Sequence, residues 1–281
     1  MADEHTHEFT FTEQDFQRTR KLIYEYAGIS LGENKRELVY GRLARRLRAT
    51  GTKTFAEYLD LLQRSDKTEW EAFANSLTTN MTSFFREAHH FPMLSEHLSK
   101  LGTARQIVLW CSACATGEEA YSMAMTAVET LGGFDIPVRI VASDLDTNVL
   151  QTARDGRYEL RSAAMLSAQQ LDRFFVRGEG GAGFIQVRPE LQKMISFKRL
   201  NLLGTGWQIH GQLDVIFCRN VMIYFDKNTQ LAVLQKFAPL LRRDGLLFAG
   251  HSESFDHADA LFKLREHTVY ELAGKPGTDY A

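Results

Sequence analysis

The sequence predicts an all-α N-terminal domain (residues 1–80) followed by an α/β domain (residues 81–281). The latter is expected to have a Rossmann-like, doubly wound sheet and a small antiparallel β subdomain at about 156–193. Three observations predict this. Residues 10 to about 75 carry only helical periodicities. From Ile107 onward, apolar strand-like runs alternate with helical patterns. Between Ile107 and Asp146 come a strand, a loop of small residues, a helix and a second strand ending on an acid, the order of a nucleotide-binding half-sheet.

In the first domain, FTEQDFQRTRKLIYEYAG puts Phe16, Ile23 and Tyr24 on one face, with Thr12 as N-cap and Gly28 as stop. A second helix, about 33–49, aligns Val39, Leu43 and Leu47. TFAEYLDLLQRS gives a third, and the segment around TEWEAFANSL a fourth. The second domain begins near His89–Leu94. Its strands are expected at Ile107–Trp110, Val138–Ser143, Ile195–Arg199, Leu213–Phe217 and Gly245–Ala249, with a last one in Thr268–Leu272. Helices are expected at about 118–131, 146–154 and 227–241. Gly156–Lys193 breaks the alternation: LSAQQLDRFF reads as a helix, and glycines in RGEGGAGFIQVRPEL separate two short β-prone runs.

Composition narrows the function classes. The chain has 281 residues, 44% apolar and 24% charged, with a net charge of −2, so it has no bulk affinity for nucleic acid or membrane. No apolar run approaches the ~20 residues of a membrane helix, and MADEHTHEF is not a signal peptide, so a cytoplasmic location is expected. Three cysteines argue against a disulfide framework. Cys111 and Cys114 form a C-x-x-C without a second pair, Cys218 being isolated, and read as packing in a loop that must stay small.

The chemistry concentrates where strands end. A dinucleotide fold leaves its first helix N-terminus free for pyrophosphate, whereas here Glu118 and Glu119 would repel phosphate. A cationic, phosphate-free cofactor fits, and S-adenosylmethionine is the candidate. Thr116 with Glu119 also matches a capping box, which competes for the same acids. Asp144 is expected to accept ribose hydroxyls, with Asp146 capping the next helix. Asn201, Leu202, Arg219, Asn220 and Tyr224 follow later strands into the same crevice, while Phe225 reads as core. In NMTSFFREAHHF, the polar groups of Asn80, Thr82, Ser83 and Arg86 surround an anchoring Phe84–Phe85 pair. His89 and His90 are adjacent and read as packing, and His251 has no nucleophile to serve. Residues 35–53 hold seven Lys or Arg against one Glu, a one-sign stripe suited to an acidic partner.

Together NMTSFFRE, ACATGEEAYS, ASDLD, LDVIFCRNVMIYF and LLFAGHSES resemble the chemotaxis receptor glutamate methyltransferases, the CheR family, over nearly the whole chain. The resemblance implies a Rossmann-like S-adenosylmethionine methyltransferase domain that forms glutamate methyl esters on cytoplasmic helices of transmembrane chemoreceptors, without metal, nucleic acid or membrane insertion. It implies cofactor contacts at Asn80, Thr82, Arg86, Ala113, Glu119, Asp144, Leu145, Asn201, Leu202, Arg219 and Asn220. Arg86 and Tyr224 would lie nearest the sulfur, as the catalytic groups. Arg42, Arg45 and Arg46 of the basic stripe are expected to meet the acidic receptor bundle. In some members the β subdomain docks a receptor C-terminal peptide. Here RGEGGAGFIQVR lacks the proline of the family's RGxGPxxG form, so tail docking does not follow from the resemblance. The competing readings are a nucleic-acid methyltransferase, a non-catalytic receptor-binding module and, weakest, a dinucleotide oxidoreductase.

Overall fold

Thr12 opens the first helix, α1 (Glu13–Ala27), through a reciprocal cap: its Oγ1 accepts from Asp15 N at 3.1 Å, and the Asp15 carboxylate accepts from Thr12 N at 3.0 Å. Gly28, at φ 71°, ends it. The computed structural model describes residues 8–177, 183–209 and 211–274. They form two compact units, residues up to Thr79 with Tyr224–Asp226, and Asn80–Ile223 with Lys227 onward.

In the first unit, a 3-10 turn at Glu33–Lys35 leads into α2 (Arg36–Thr50), which stops at Gly51. Thr54 caps α3 (Phe55–Arg64), and Asp66 caps α4 (Lys67–Leu77). Phe16, Ile23, Val39, Leu43, Leu47, Phe55, Tyr58 and Phe73 are its core. Tyr24, expected on that face, is instead 40% exposed, because its hydroxyl donates to the Asp226 carboxylate at 2.6 Å. Residues 224–226 join this unit by burying Phe225 and by Tyr224 O accepting from Ser30 N at 2.8 Å.

The second unit begins with an unassigned stretch and α5 (His90–Leu101), then β1 (Ile107–Cys111), α6 (Glu118–Leu131), β2 (Val138–Asp144) and α7 (Thr147–Asp155). The excursion follows: β3 (Arg157–Glu159), α8 (Ala168–Phe174), β4 (Phe175–Arg177), β5 (Phe184–Val187) and α9 (Pro189–Gln192). The rest is β6 (Ile195–Arg199), β7 (Leu213–Cys218), α10 (Lys227–Phe237), β8 (Leu241–Ala249), β9 (Phe262–Glu266) and β10 (Val269–Leu272). The main sheet runs β6-β2-β1-β7-β8-β10-β9, parallel through β8, with β10 antiparallel to both its neighbours. Strands β1, β2 and β7 are nearly continuous apolar runs because helices cover both faces. The winding reverses between β1 and β7, so the loops after those strands bound the crevice where such sheets bind ligands.

A small sheet, β3-β5-β4, forms the antiparallel excursion. The glycine run of its expected linker, 178–182, lies outside the described residues. Toward the C-terminus the elements differ from expectation. The helix after Lys227 ends at Phe237, where a 3-10 turn over Ala238–Leu240 containing Pro239 takes over, and β8 begins earlier, at Leu241. FKLRE forms an additional edge strand, β9, whose charged residues face solvent. Among the described residues no helix is long and apolar enough to cross a membrane.

Candidate functional site

The loop after β1 is shaped by Asp144. At the end of β2, its Oδ2 accepts from Ala115 N at 2.9 Å and its Oδ1 from Asp146 N at 3.0 Å, so one carboxylate holds the loops after both strands. Burial pushes Asp144 up to about 6, against the pull of these N–H donors. Asp146 caps α7 by accepting from Asn148 N at 2.8 Å, the role expected of it, and its other oxygen accepts from Asn80 Nδ2 at 2.8 Å. Ala113 and Leu145 are half-buried on these same two loops.

Gly117 is required where it stands. Its φ is 101°, and a Cβ there would come within 2.8 Å of the Ala153 Cβ and 2.9 Å of the Tyr158 hydroxyl. This glycine is the N-cap of α6 and supplies no side-chain cap. The Thr116–Glu119 capping box therefore does not form. Instead Thr116 Oγ1 donates to Glu118 Oε2 at 2.6 Å, and Glu119 turns inward. Both acids are buried, and burial raises their pKa values.

Arg219, after β7, is the cation that Glu119 meets. Its Nη1 lies 2.9 Å from Glu119 Oε2 and its Nη2 3.1 Å from Glu87 Oε2, and Nη2 also donates to Arg86 O. The ring of Phe217 lies under the guanidinium at 5.6 Å. Sequence reasoning placed Arg219 on the wall of the crevice. The side chain is wholly buried and serves as counter-ion to Glu119 and Glu87. Cys111 Sγ donates to the other Glu119 oxygen at 3.2 Å.

Glu87, next to Arg86, gathers the segment after Asn80. Its Oε1 accepts from His251 Nδ1 at 2.7 Å and Asn220 Nδ2 at 3.1 Å, and its Oε2 from His251 N at 3.1 Å. Burial would raise Glu87, but the bonds to His251, Asn220 and Arg219 prevail and bring it to about 2. Arg86 is half-buried, with Nη1 donating to Met81 O at 2.8 Å. Phe84 is the expected anchor, fully buried against Tyr158 and Phe175, while Thr82 is half-buried beside it. Phe85, Glu87, Ala115 and Asn220 all have positive φ, between 45° and 58°, a concentration of backbone strain typical of working sites.

On the far wall, Asn201 Oδ1 accepts from Leu203 N at 2.9 Å, and Leu202 is buried. Lys236, on α10, pins this loop by donating to Leu202 O, Leu203 O and Gly204 O at 3.2, 2.8 and 3.0 Å. Trp207 Nε1 donates to Asn201 O at 3.0 Å. The structure thus gathers Asn80, Ala113, Glu119, Asp144, Leu145, Arg219 and Asn220 around the carboxyl ends of β1, β2 and β7. Tyr224 belongs to the first unit.

The basic stripe is not uniform. Arg42 Nη1 donates to Leu77 O and Thr78 O, both at 2.8 Å, closing the C-terminus of α4. Arg46 forms a bidentate pair with Glu69 at 3.1 and 2.7 Å, and Tyr58 donates to the same carboxylate. Of the three expected substrate contacts, Arg45 alone is exposed.

Sequence reasoning missed Glu87, Glu253 and Lys236, and set His251 aside for want of a nucleophile. Glu253 is buried and accepts from Asn220 N, Val221 N, Met222 N and Gly250 N, tying the loop after β7 to the loop after β8. The acids in FRE and GHSES were the available signal, since a charge amid apolar, glycine-flanked strand ends needs internal partners. The three cysteines are free and buried, and burial raises their thiols. Glu87, His89 and His90 bring donor atoms within 4.8 Å of one another. The Glu87 carboxylate is already neutralised by Arg219, which makes this a poor donor set for a cation.

Comparison with known proteins is consistent across the chain. The family described as "CheR methyltransferase, SAM binding domain" matches residues 80–271, and "CheR methyltransferase, all-alpha domain" matches residues 14–78. "Chemotaxis protein methyltransferase 2" of Pseudomonas aeruginosa is 50% identical over 268 residues, covering 95% of each chain. "Chemotaxis protein methyltransferase" of Escherichia coli is 48% identical over 270 residues, 95% of this chain and 94% of that one. A "Probable chemotaxis protein methyltransferase" of Rhizobium etli is 37% identical over 240 residues, 83% of this chain and 89% of that one.

Proposed function

Because the chain belongs to the CheR methyltransferase family, and is thus an S-adenosylmethionine-dependent methyltransferase, we propose that it esterifies glutamate side chains on the cytoplasmic helices of chemoreceptors. The observation that carries this is similarity over 95% of the chain to relatives named as chemotaxis methyltransferases. The crevice supports the cofactor side. Glu118, Glu119 and Asp144 are buried at its β1–β2 edge, where a phosphate would be repelled and a cationic ligand attracted.

When bound, the cofactor supplies a methyl group on a sulfonium. Asp144 accepts the ribose hydroxyls with the oxygen lone pairs its backbone donors leave over. Glu119, with one donor on each oxygen from Arg219 and Cys111, likewise keeps lone pairs for the methionine end. Asn80, Thr82, Leu145, Asn201, Leu202 and Asn220 supply the remaining contacts.

A glutamate, with a reference pKa of ~4.3, is already an anionic nucleophile at neutral pH, so no general base is needed. What the enzyme adds is an in-line approach, an effect worth roughly 7–11 kcal/mol. Arg86 orients the incoming carboxylate, and Tyr224 is the second group assigned to the geometry near the sulfur. Negative charge falls as the carboxylate attacks, so a tighter grip by Arg86 would stabilise the ground state and slow the reaction. One guanidinium nitrogen is engaged by Met81 O, which moderates that grip.

Incubation with labelled cofactor and receptor cytoplasmic fragments tests the reading. The label should enter the receptor as an alkali-labile ester that releases methanol. Label in nucleic acid, or none in any receptor, would overturn it.

A further inference from the structure

We propose that His251 is a positioning residue for Arg86 that acts through the Glu87 carboxylate, an inference that rests on the role of Arg86 given above. Arg86 sits between two residues in the left-handed region, Phe85 at φ 50° and Glu87 at φ 53°. Non-glycine residues stay there only when their surroundings over-determine the backbone. On one side the tie is Phe85 N to Ser122 Oγ, at 2.9 Å. On the other side it is the Glu87 side chain, beside the bond from Arg219 Nη2 to Arg86 O.

His251 supplies two of the donors to that side chain, one on each oxygen: Nδ1 to Oε1 at 2.7 Å and its backbone N to Oε2 at 3.1 Å. A carboxylate only accepts, so Nδ1 carries the proton in this contact. The other donors to Glu87 have separate anchors. Arg219 is held by Glu119 and by Arg86 O, and Asn220 by Glu253 through its backbone N–H. Without the imidazole, Glu87 is left to be drawn toward the Arg219 charge, and the turn carrying Arg86 keeps the Arg219 bond but loses its solvent-side tie. The imidazole is 65% exposed, so it fills no core, and its loss separates positioning from packing.

The test is His251→Ala in the full-length chain, assayed with S-adenosylmethionine and receptor cytoplasmic fragments. Turnover should fall about tenfold or more, since small misplacements of reacting groups have effects of this order. Cofactor Kd should stay within about twofold and the melting temperature should hold, because Asn220 and Arg219 keep their own anchors. His251→Asn, whose Nδ2 can replace the Nδ1 donor, should recover most of the loss. In an Arg86→Ala background, His251→Ala should cost nothing further, the signature of two residues acting as one unit. Full turnover in His251→Ala, a loss that tracks melting temperature, or an additive loss in the Arg86→Ala background would each overturn the proposal. A wild-type chain that methylates no receptor overturns the parent reading and this one with it.

Discussion

Arg219 Nη1 lies 2.9 Å from Glu119 Oε2 with its side chain wholly removed from solvent. The second arm of the same guanidinium serves Glu87, so one buried cation balances two acids on different elements. Arg219→Met keeps much of the volume but leaves both carboxylates uncompensated. Breaking a buried pair in this way costs about 3–5 kcal/mol. Urea denaturation should show a loss of that size, and unchanged stability would mean that the pair is not formed. Glu119→Gln should cost far less, because Arg219 retains Glu87 and the amide oxygen can still accept.

With Asp144 as the proposed ribose acceptor, cofactor binding should depend on pH. Burial raises it to about 6, so between its ordinary range and pH 6 the folded chain holds a proton that the unfolded chain does not. By linkage, this group's contribution to stability is present at the acid end and is lost as pH rises toward 6. Hydroxyl donors favour the carboxylate, so cofactor binding must expel that proton. Affinity should therefore fall about tenfold per pH unit below 6 and level off above it. Calorimetric titration between pH 5 and 8 would show this slope. Asp144→Asn should flatten it and weaken binding at neutral pH by ~10–100-fold, the worth of a charged hydrogen bond.

Gly117 joins the loop after β1 to α6 at φ 101°, with Ala153 and Tyr158 against its α-carbon. Gly117→Ala adds both backbone strain and overlap, and each effect is worth about 1–3 kcal/mol. Thermal unfolding should report the loss. Relief requires the loop to move away from α7, so cofactor affinity should fall with it. An alanine variant with wild-type affinity would show that this loop does not shape the pocket.

The elements legible in the sequence were those whose apolar pattern is set by burial on known faces. Strands β1, β2, β6 and β7 fall within a residue of expectation because their apolar runs are short and sharply bounded. Edge strand β9 was invisible because Lys263, Leu264, Arg265 and Glu266 face solvent and carry no alternation. Which polar residues belong to the crevice was readable from strand ends, but which of them face one another was not. Arg219 and Glu119 are a hundred positions apart, and only the adjacency of β1 and β7 brings them together. Thr116 with Glu119 matched a cap by spacing alone, yet the positive φ of Gly117 turned that helix start into a different geometry.

The arginine stripe on α2 predicts a division of labour that mutagenesis can read. Arg42 and Arg46 hold α4, the first through the carbonyls of Leu77 and Thr78, the second through the Glu69 carboxylate that Tyr58 shares. Truncating either to alanine removes charge-assisted bonds from partly buried groups, and a loss of ~1–3 kcal/mol in unfolding free energy is expected for each. Arg45 is exposed on the same helix, and Arg45→Glu should leave stability within about 0.5 kcal/mol. If α2 faces an acidic receptor bundle, that substitution should weaken capture of receptor fragments most strongly at low salt and leave cofactor affinity unchanged. Receptor affinity indifferent to Arg45→Glu at 20 mM ionic strength, where screening extends over roughly 20 Å, would assign the stripe to the structure of the helical unit alone.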